Sequence, residues 1–223
     1  MTTTTITNTG TTPVPVKTDA MTWECFANDL VVASETEEAR LLRAVPTPEL
    51  TAERGTQAWD DDWAAQYHAG IKRRALLMKF NARLVLEVGK ALAAAVPTFR
   101  SLDVEYQGSG DSGEACDISV FLHRPQRFDA DGKPRWATHD ENQEDNREAD
   151  AAAALLPSEL KEWLDETCWA IAYDRHPGFE IDAGGFGQIV VARADDDDLT
   201  SPLQLTINHT ERVEQSYDEE VLV

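Results

Sequence analysis

The chain has 223 residues, 41 acidic and 20 basic, which gives a formal net charge of −21 at neutral pH. A field of that sign repels nucleic-acid phosphates and anionic membranes and attracts basic surfaces, so direct binding to nucleic acid or membrane is disfavoured. With 42% hydrophobic and 27% charged residues, the composition is typical of a globular protein of one extended domain or two small ones.

The cysteines and the N-terminal sequence indicate the compartment. Cys25, Cys116 and Cys168 are odd in number, far apart and outside any metal-binding spacing, which argues against a disulfide framework and structural zinc. The first residues lack the basic and apolar regions of a secretory signal, and no apolar run approaches membrane-spanning length. We therefore expect a cytoplasmic protein without membrane attachment, metal or organic cofactor.

The N-terminal part of the chain divides into a tail and a helical region. Residues 1–20 mix Thr, Asn, Gly and Pro without periodicity, which predicts a disordered tail. Residues 21–96 have helical periodicity. Ser34 and Glu37 have the spacing of a capping box, which predicts a break there and two short helices before Pro46.

Two side-chain stripes mark the second half of this helical region. Trp59, Trp63 and Tyr67 recur every four residues and share one helix face, which is more typical of a core or an interface than of a cofactor site. In residues 71–95 an apolar face lies opposite a narrow basic stripe, which could contact acidic segments of the same chain or an acidic partner, or be simply solvated. The basic stripe consists of Lys72, Lys79, Arg83 and Lys90.

The region 97–223 is predicted to be an α+β domain. Alternating residues on both sides of a glycine-rich turn at 108–113 predict a β-hairpin, and the charged stretch at about 124–154 predicts a flexible acidic insertion. Pro157 precedes a helix, and strands are expected at 179–181, 186–194 and 203–208, with a possible edge strand reaching Tyr217. The apolar face of that helix comprises Leu160, Trp163, Leu164, Thr167, Cys168 and Ile171.

The predicted fold class is thus α+β. N-terminal helices precede an antiparallel sheet built from a hairpin, a helix and a second hairpin or meander, with one helix packed on the sheet.

Five short segments in this region resemble a known family. They are residues 104–113, 171–174, 176–180, 184–187 and 208–212. In combination they resemble the domain-of-unknown-function family 6878, small acidic proteins of bacteria and mobile elements, over roughly residues 99–217. The resemblance implies the α+β order given above and no activity, because the family has none established.

Two sets of polar residues are candidates for ligand binding. Gly108, Gly110, Asp111, Ser112 and Gly113 could form an anion-binding concavity of backbone N–H groups, but a tight hairpin turn explains the same residues. A metal site built from carboxylates at strand ends is the second possibility, and it needs the fold to bring them together. Its candidate ligands are Asp111, Asp117, Glu180, Asp182 and His209.

The sequence favours a non-catalytic, acidic interaction protein. We expect its partner to be a protein, with Trp59, Trp63 and the basic stripe as contact residues, and homo-oligomer formation stays open. A basic or nucleic-acid-binding partner would suit the charge, as in a DNA mimic or inhibitor. The alternative is a metal-dependent enzyme that uses the carboxylates near Asp111, Asp117, Glu180 and Asp182.

Overall fold

The computed structural model describes residues 12–109, 112–124, 126–177, 184–195 and 198–212. It confirms the α+β class with N-terminal helices before an antiparallel sheet. The chain forms two compact units, one ending at Leu84 and the other beginning at Val85. In chain order the elements are α1 (Trp23–Ala44), α2 (Gln57–Ala95), β1 (Phe99–Ser109), β2 (Ser112–Leu122), β3 (Arg127–Phe128), β4 (Pro134–Arg135), α3 (His139–Ala153), α4 (Ser158–Arg175), β5 (Gly185–Arg193) and β6 (Leu203–Glu211).

The first helix is continuous, so the prediction of two short helices is wrong. α1 begins after Thr22, whose side chain accepts a hydrogen bond from the Cys25 N–H. Ser34 does not cap a second helix, because its hydroxyl donates to Asn81 Oδ1 on α2 at 2.9 Å. Glu37, the other half of the predicted capping box, is buried and binds Arg40 through two hydrogen bonds of 2.6 Å. The side chains of Ser34 and Glu37 therefore bind other side chains and do not cap the start of a helix.

The core of the first unit lies between α1 and the part of α2 that ends at Leu84. Arg73 Nη1 on α2 donates to the Val45 carbonyl oxygen at 2.8 Å, which fixes the end of α1 against α2. Residues 12–20 form no helix or strand, but Thr12 is buried and its hydroxyl donates to Glu37 Oε2 at 2.6 Å. Residues 1–11 of the predicted tail lie outside the described residues. The buried apolar side chains are Phe26, Ala27, Leu30, Ala33, Leu41, Met78, Phe80 and Leu84.

The second unit is built on a four-stranded antiparallel sheet in the order β2-β1-β5-β6. The predicted first hairpin is confirmed as β1 and β2. On β1 the alternating residues Leu102, Val104 and Tyr106 are buried, and they stand beside Val191, Ile189 and Gly187 of β5. Alternation of this kind is the pattern of a sheet with one covered face.

In the described part of the chain, α4 and the end of α2 pack on the sheet, and α3 contacts β2. α4 packs against β1 and β2, and the predicted apolar face of α4 is confirmed, since all six of its members are buried. The last turns of α2 belong to the same unit, where Val85, Val88 and Leu92 are fully buried. A Cβ at Gly89 would overlap the Val191 side chain, so glycine lets the α2 backbone lie directly on the sheet.

The acidic stretch 124–154 contains regular elements that its composition did not predict. β3 and β4 form a small hairpin, and α3 packs against β2. A capping box starts α3, in which the Thr138 side chain accepts from the Glu141 N–H and Glu141 accepts from the Thr138 N–H. The flexibility of this segment stays a prediction. The strand expected at 179–181 and the edge strand expected beyond residue 212 lie outside the described residues.

Candidate functional site

Three aromatic and apolar side chains of the first unit lie on the surface of α2. We call Trp63, Tyr67 and Ile71 the exposed stripe, since 51%, 55% and 48% of each residue is accessible to solvent. The Trp63 and Tyr67 rings stack with centroids 5.5 Å apart and planes within 6°. Trp59 is half-buried, with the Arg54 guanidinium 6.0 Å from its ring centroid. Trp59 thus lies one turn before Trp63 on α2 and is less exposed than Trp63.

The charges around the exposed stripe are predominantly acidic at its N-terminal end. Asp60 and Asp61 are exposed there, and Asp62 accepts hydrogen bonds from the backbone N–H groups of Thr51 and Ala52, which lower its pKa. All four members of the predicted basic stripe, Lys72, Lys79, Arg83 and Lys90, are exposed. Lys90 belongs to the second unit and pairs with Glu87 at 2.6 Å.

The glycine-rich loop continues the ladder of the β1–β2 hairpin. Gly108 stands opposite Gly113, and Ser109 opposite Ser112, so these residues close the hairpin toward its turn. Gly110 and Asp111, which would have to bind a ligand, lie outside the described residues, as does the side chain of Ser112. The ligand interpretation of this loop stays a prediction.

The predicted carboxylate site is not assembled by the residues that are described. Asp117 is exposed on β2, and its carboxylate accepts the Ser119 hydroxyl at 3.3 Å. Asp111, Glu180 and Asp182 lie outside the described part of the chain. His209, the remaining member of that set, has a different neighbourhood.

A cluster of two histidines and a glutamate joins the end of α4 to the edge strand β6. His176 caps the C-terminus of α4, while His209 and Glu211 are two residues apart on β6 and therefore point to the same side of the sheet. The two imidazole rings stack at a centroid distance of 3.9 Å, with planes within 16°. One possible metal-ligating atom from each of the three side chains lies within 4.8 Å of the others. We call these residues the histidine cluster.

Tyr106 orients the imidazole of His209. Its ring lies parallel to that of His209, and the hydroxyl oxygen is 3.1 Å from His209 Nδ1. The same hydroxyl donates its hydrogen to the Asn208 carbonyl oxygen at 3.2 Å. Since a hydroxyl has one hydrogen to donate, both contacts are satisfied when Nδ1–H of His209 donates to the Tyr106 oxygen. The lone pair of the neutral ring then resides on Nε2.

Two glycines of β5 make room for this arrangement. A Cβ at Gly187 would overlap the Asn208 carbonyl oxygen and the Tyr106 hydroxyl. A Cβ at Gly185 would come within 2.9 Å of His209 Cε1. Glycine is needed at both positions because the Tyr106 and His209 side chains occupy the space beside β5.

The protonation states of the cluster favour a neutral imidazole. Burial, followed by the neighbouring His176, lowers the pKa of His209, while Glu211 acts in the opposite direction. Burial also raises the pKa of Tyr106 to about 12, so it remains a hydroxyl. A neutral imidazole with a fixed tautomer is the form that binds a metal ion.

Sequence reasoning found only part of the histidine cluster. His209 was among the candidate ligands, but His176, Glu211 and Tyr106 were not. The alternation of His209 and Glu211 on one strand is a signal that could have been used. Nothing in the sequence places His176 near them, because that contact depends on where α4 ends relative to the sheet.

A separate polar concavity lies between β3, β4 and α3. Its volume is about 590 Å³, and Arg127 and Arg135 line it beside Trp136, which is 95% exposed. Arg127 pairs with Asp145 at 2.7 Å, and Arg135 with Glu141 at 2.7 Å. These pairs neutralise the guanidinium charges and attach the small hairpin to α3.

Comparisons with protein-family models, curated proteins and solved structures find no match to this chain. The resemblance to family 6878 therefore stays a prediction. None of the helices in the described part of the chain has the length and apolar character needed to cross a membrane.

Proposed function

We propose that this chain is a non-catalytic interaction protein that binds a partner protein through the exposed stripe on α2. The observation that supports the proposal most directly is the stacked pair Trp63 and Tyr67, of which about half is exposed. Large aromatic side chains are enriched at the centres of protein interfaces, where they supply contact area at a small entropic cost. A neighbouring apolar residue, Ile71, extends the area along the helix.

The charge around the stripe indicates the chemistry of the partner. The exposed Asp60 lies about one turn before Trp63 on α2, and the whole chain carries a net charge of −21. A second copy of the chain would bring the same excess of acidic residues to the interface, which long-range repulsion disfavours. The partner that fits best is therefore a different protein, with an apolar pocket bordered by lysine and arginine.

This proposal includes the narrower idea of a nucleic-acid mimic. Proteins that bind nucleic acid present basic surfaces, and an acidic protein can occupy such a surface. The predicted resemblance to mobile-element proteins is compatible with that role. Whether the partner is a nucleic-acid-binding protein or another basic protein, its affinity for this chain should fall as the salt concentration rises, because salt screens the charge attraction across the interface.

The test compares binding by the full chain with binding by two variants. Proteins captured from the native host are purified, and their direct affinity for the wild-type chain is measured. We expect the double variant Trp63→Ala/Tyr67→Ala to lose at least about tenfold in affinity, which corresponds to about 1.4 kcal/mol. The control is Trp136→Ala, which removes a tryptophan of the other unit that is more exposed than Trp63, 95% against 51%, and it should bind as the wild type does.

Three outcomes contradict the proposal. One is equal affinity of the double variant and the wild type for the purified partner. Another is a complex whose affinity does not change between low and high salt. The third is light-scattering evidence that the wild type forms a homo-oligomer that the double variant cannot form, since the occupant of the stripe would then be a second copy.

A further inference from the structure

The histidine cluster has the composition of a transition-metal site. Two imidazole nitrogens and one carboxylate oxygen are ligands that Zn²⁺ accepts, and three protein ligands leave one position for water. His176, His209 and Glu211 already hold their possible ligand atoms within 4.8 Å of one another. From these observations we propose that His176, His209 and Glu211 bind a borderline divalent cation of the Zn²⁺ class, independently of the surface on α2.

The surroundings of His209 support the proposal separately from the distances. The hydrogen bond between His209 Nδ1 and Tyr106 directs the lone pair to Nε2, as hydrogen-bond partners of metal-bound histidines commonly do. Gly185 and Gly187 leave the space that the Tyr106 and His209 side chains fill.

The side chains of the histidine cluster have to move before they can bind a metal ion. Bonds of 2.0–2.1 Å in a tetrahedral site place ligand atoms about 3.4 Å apart, whereas the present separations reach up to 4.8 Å, so the ligand atoms must approach one another by up to about 1.4 Å. Imidazole lone pairs lie in the ring plane, so the lone pairs of two stacked, nearly parallel rings lie in nearly parallel planes and do not converge on one ion between them. One ring therefore has to tilt, and His176 is best placed to do so because it follows the last residue of α4.

A bound ion would join the end of α4 to the edge strand β6. Among the described strands β6 pairs with β5, and the ion would give it a contact with α4 in addition. Because a metal ion that binds only the folded state adds its binding free energy to stability, the cation should raise the melting temperature of the protein. The excess of acidic residues in the chain also raises the local concentration of cations.

The experiment uses the full chain after treatment with a chelator. ZnCl₂ is titrated by calorimetry, and CoCl₂ by visible absorption, which reports tetrahedral nitrogen and oxygen ligation. We expect saturation at one ion per chain and a higher melting temperature with Zn²⁺. His176→Ala and Glu211→Gln should each weaken binding on the order of 100-fold, and Tyr106→Phe by about 10- to 100-fold.

The controls separate the site from general attraction of cations. His68→Ala removes an exposed histidine of α2 and should leave the affinity unchanged. Mg²⁺ prefers oxygen ligands, and an excess of it should not displace Zn²⁺. Circular dichroism checks that each variant is folded, and Glu211→Gln decides the outcome if His176→Ala does not fold, because Glu211 is exposed.

The proposal is overturned if the wild type shows no saturable binding of Zn²⁺ or Co²⁺. Wild-type affinity in folded Glu211→Gln and His176→Ala would also overturn it, as would displacement of Zn²⁺ by Mg²⁺. NMR provides a direct check of the ligands, since the imidazole signals of His176 and His209 should shift on titration while those of His68 stay in place.

Discussion

The two units use tyrosine in opposite ways. Tyr67 in the first unit stacks on Trp63 at the surface, where more than half of it is exposed, whereas Tyr106 in the second unit stacks on His209 and is 1% exposed. The Trp63–Tyr67 stack leaves about half of both residues accessible to solvent. The Tyr106–His209 stack is largely buried and fixes the hydrogen bonds of its polar atoms. The same kind of ring contact can therefore form part of a surface or organise an interior site, depending on its burial.

The largest single loss of stability is expected on removal of the Tyr106 ring, and removal of the Tyr67 ring serves as its comparison. Tyr106→Ala should lower the free energy of unfolding by about 4 kcal/mol, because it leaves a cavity in the sheet and removes hydrogen bonds. Tyr67→Ala should change it by less than about 1 kcal/mol, because the ring is already largely hydrated. Urea unfolding followed by circular dichroism measures both. Similar losses for the two variants would contradict the comparison.

Glycine substitutions should change stability in opposite directions in the two units. Gly187→Ala should lower the free energy of unfolding by about 3 kcal/mol, because the new methyl group would overlap backbone and the Tyr106 ring. Gly70→Ala, in the interior of α2 with open space around it, should raise it by about 0.8 kcal/mol through helix propensity.

The same urea titration serves for this pair. A stable Gly187→Ala variant would show that β5 does not approach Tyr106 as closely as the structure has it. Such a result would also weaken the metal proposal, because the two features share Tyr106 and His209.

The smallest expected effect concerns the buried carboxylate of the first unit. Glu37→Gln should lower the free energy of unfolding by about 2 kcal/mol at neutral pH, because it loses charge-assisted hydrogen bonds to Arg40 and Thr12. Glu35→Gln, on the exposed side of α1, is the matched control and should change it by less than about 0.5 kcal/mol.

The effect of Glu37→Gln should depend on pH with a defined sign. The hydrogen bonds from Arg40 hold the pKa of Glu37 below its ordinary value of 4.5. Its contribution is therefore complete above that value and is lost as the pH falls through the lower pKa of the folded state. Unfolding curves of the two proteins should converge in acid, and a difference that grows on acidification would contradict the assignment.

Local patterns predicted most of the secondary structure. The i, i+3, i+4 spacing of α4 identified six residues that are all buried, and the alternation around the glycine loop identified β1 and β2. The break at Ser34 was wrong because a capping signal is local, while Ser34 hydrogen-bonds to Asn81, which is 47 residues away in the sequence. The hydrogen bond to Asn81 determines the role of Ser34, and a local sequence pattern cannot reveal a partner so far along the chain.

The candidate sites were harder to predict than the elements. Trp63 could be identified as a surface or core residue, but its periodicity could not say which. For the histidine cluster, the i, i+2 spacing of His209 and Glu211 was visible, whereas His176 lies 33 positions before His209 in the sequence. Only the packing of α4 on the sheet brings them together.

The boundary between the two units lies within α2, which has a practical consequence for expressing either unit as a separate fragment. A fragment that starts at Phe99 would seem to contain every strand of the sheet, yet it would lack Val85, Val88 and Leu92, which are fully buried in the second unit. Its uncovered apolar surface would favour aggregation. Expression of the C-terminal part therefore needs the preceding three turns of helix, and one polypeptide segment contributes to the solubility of both halves.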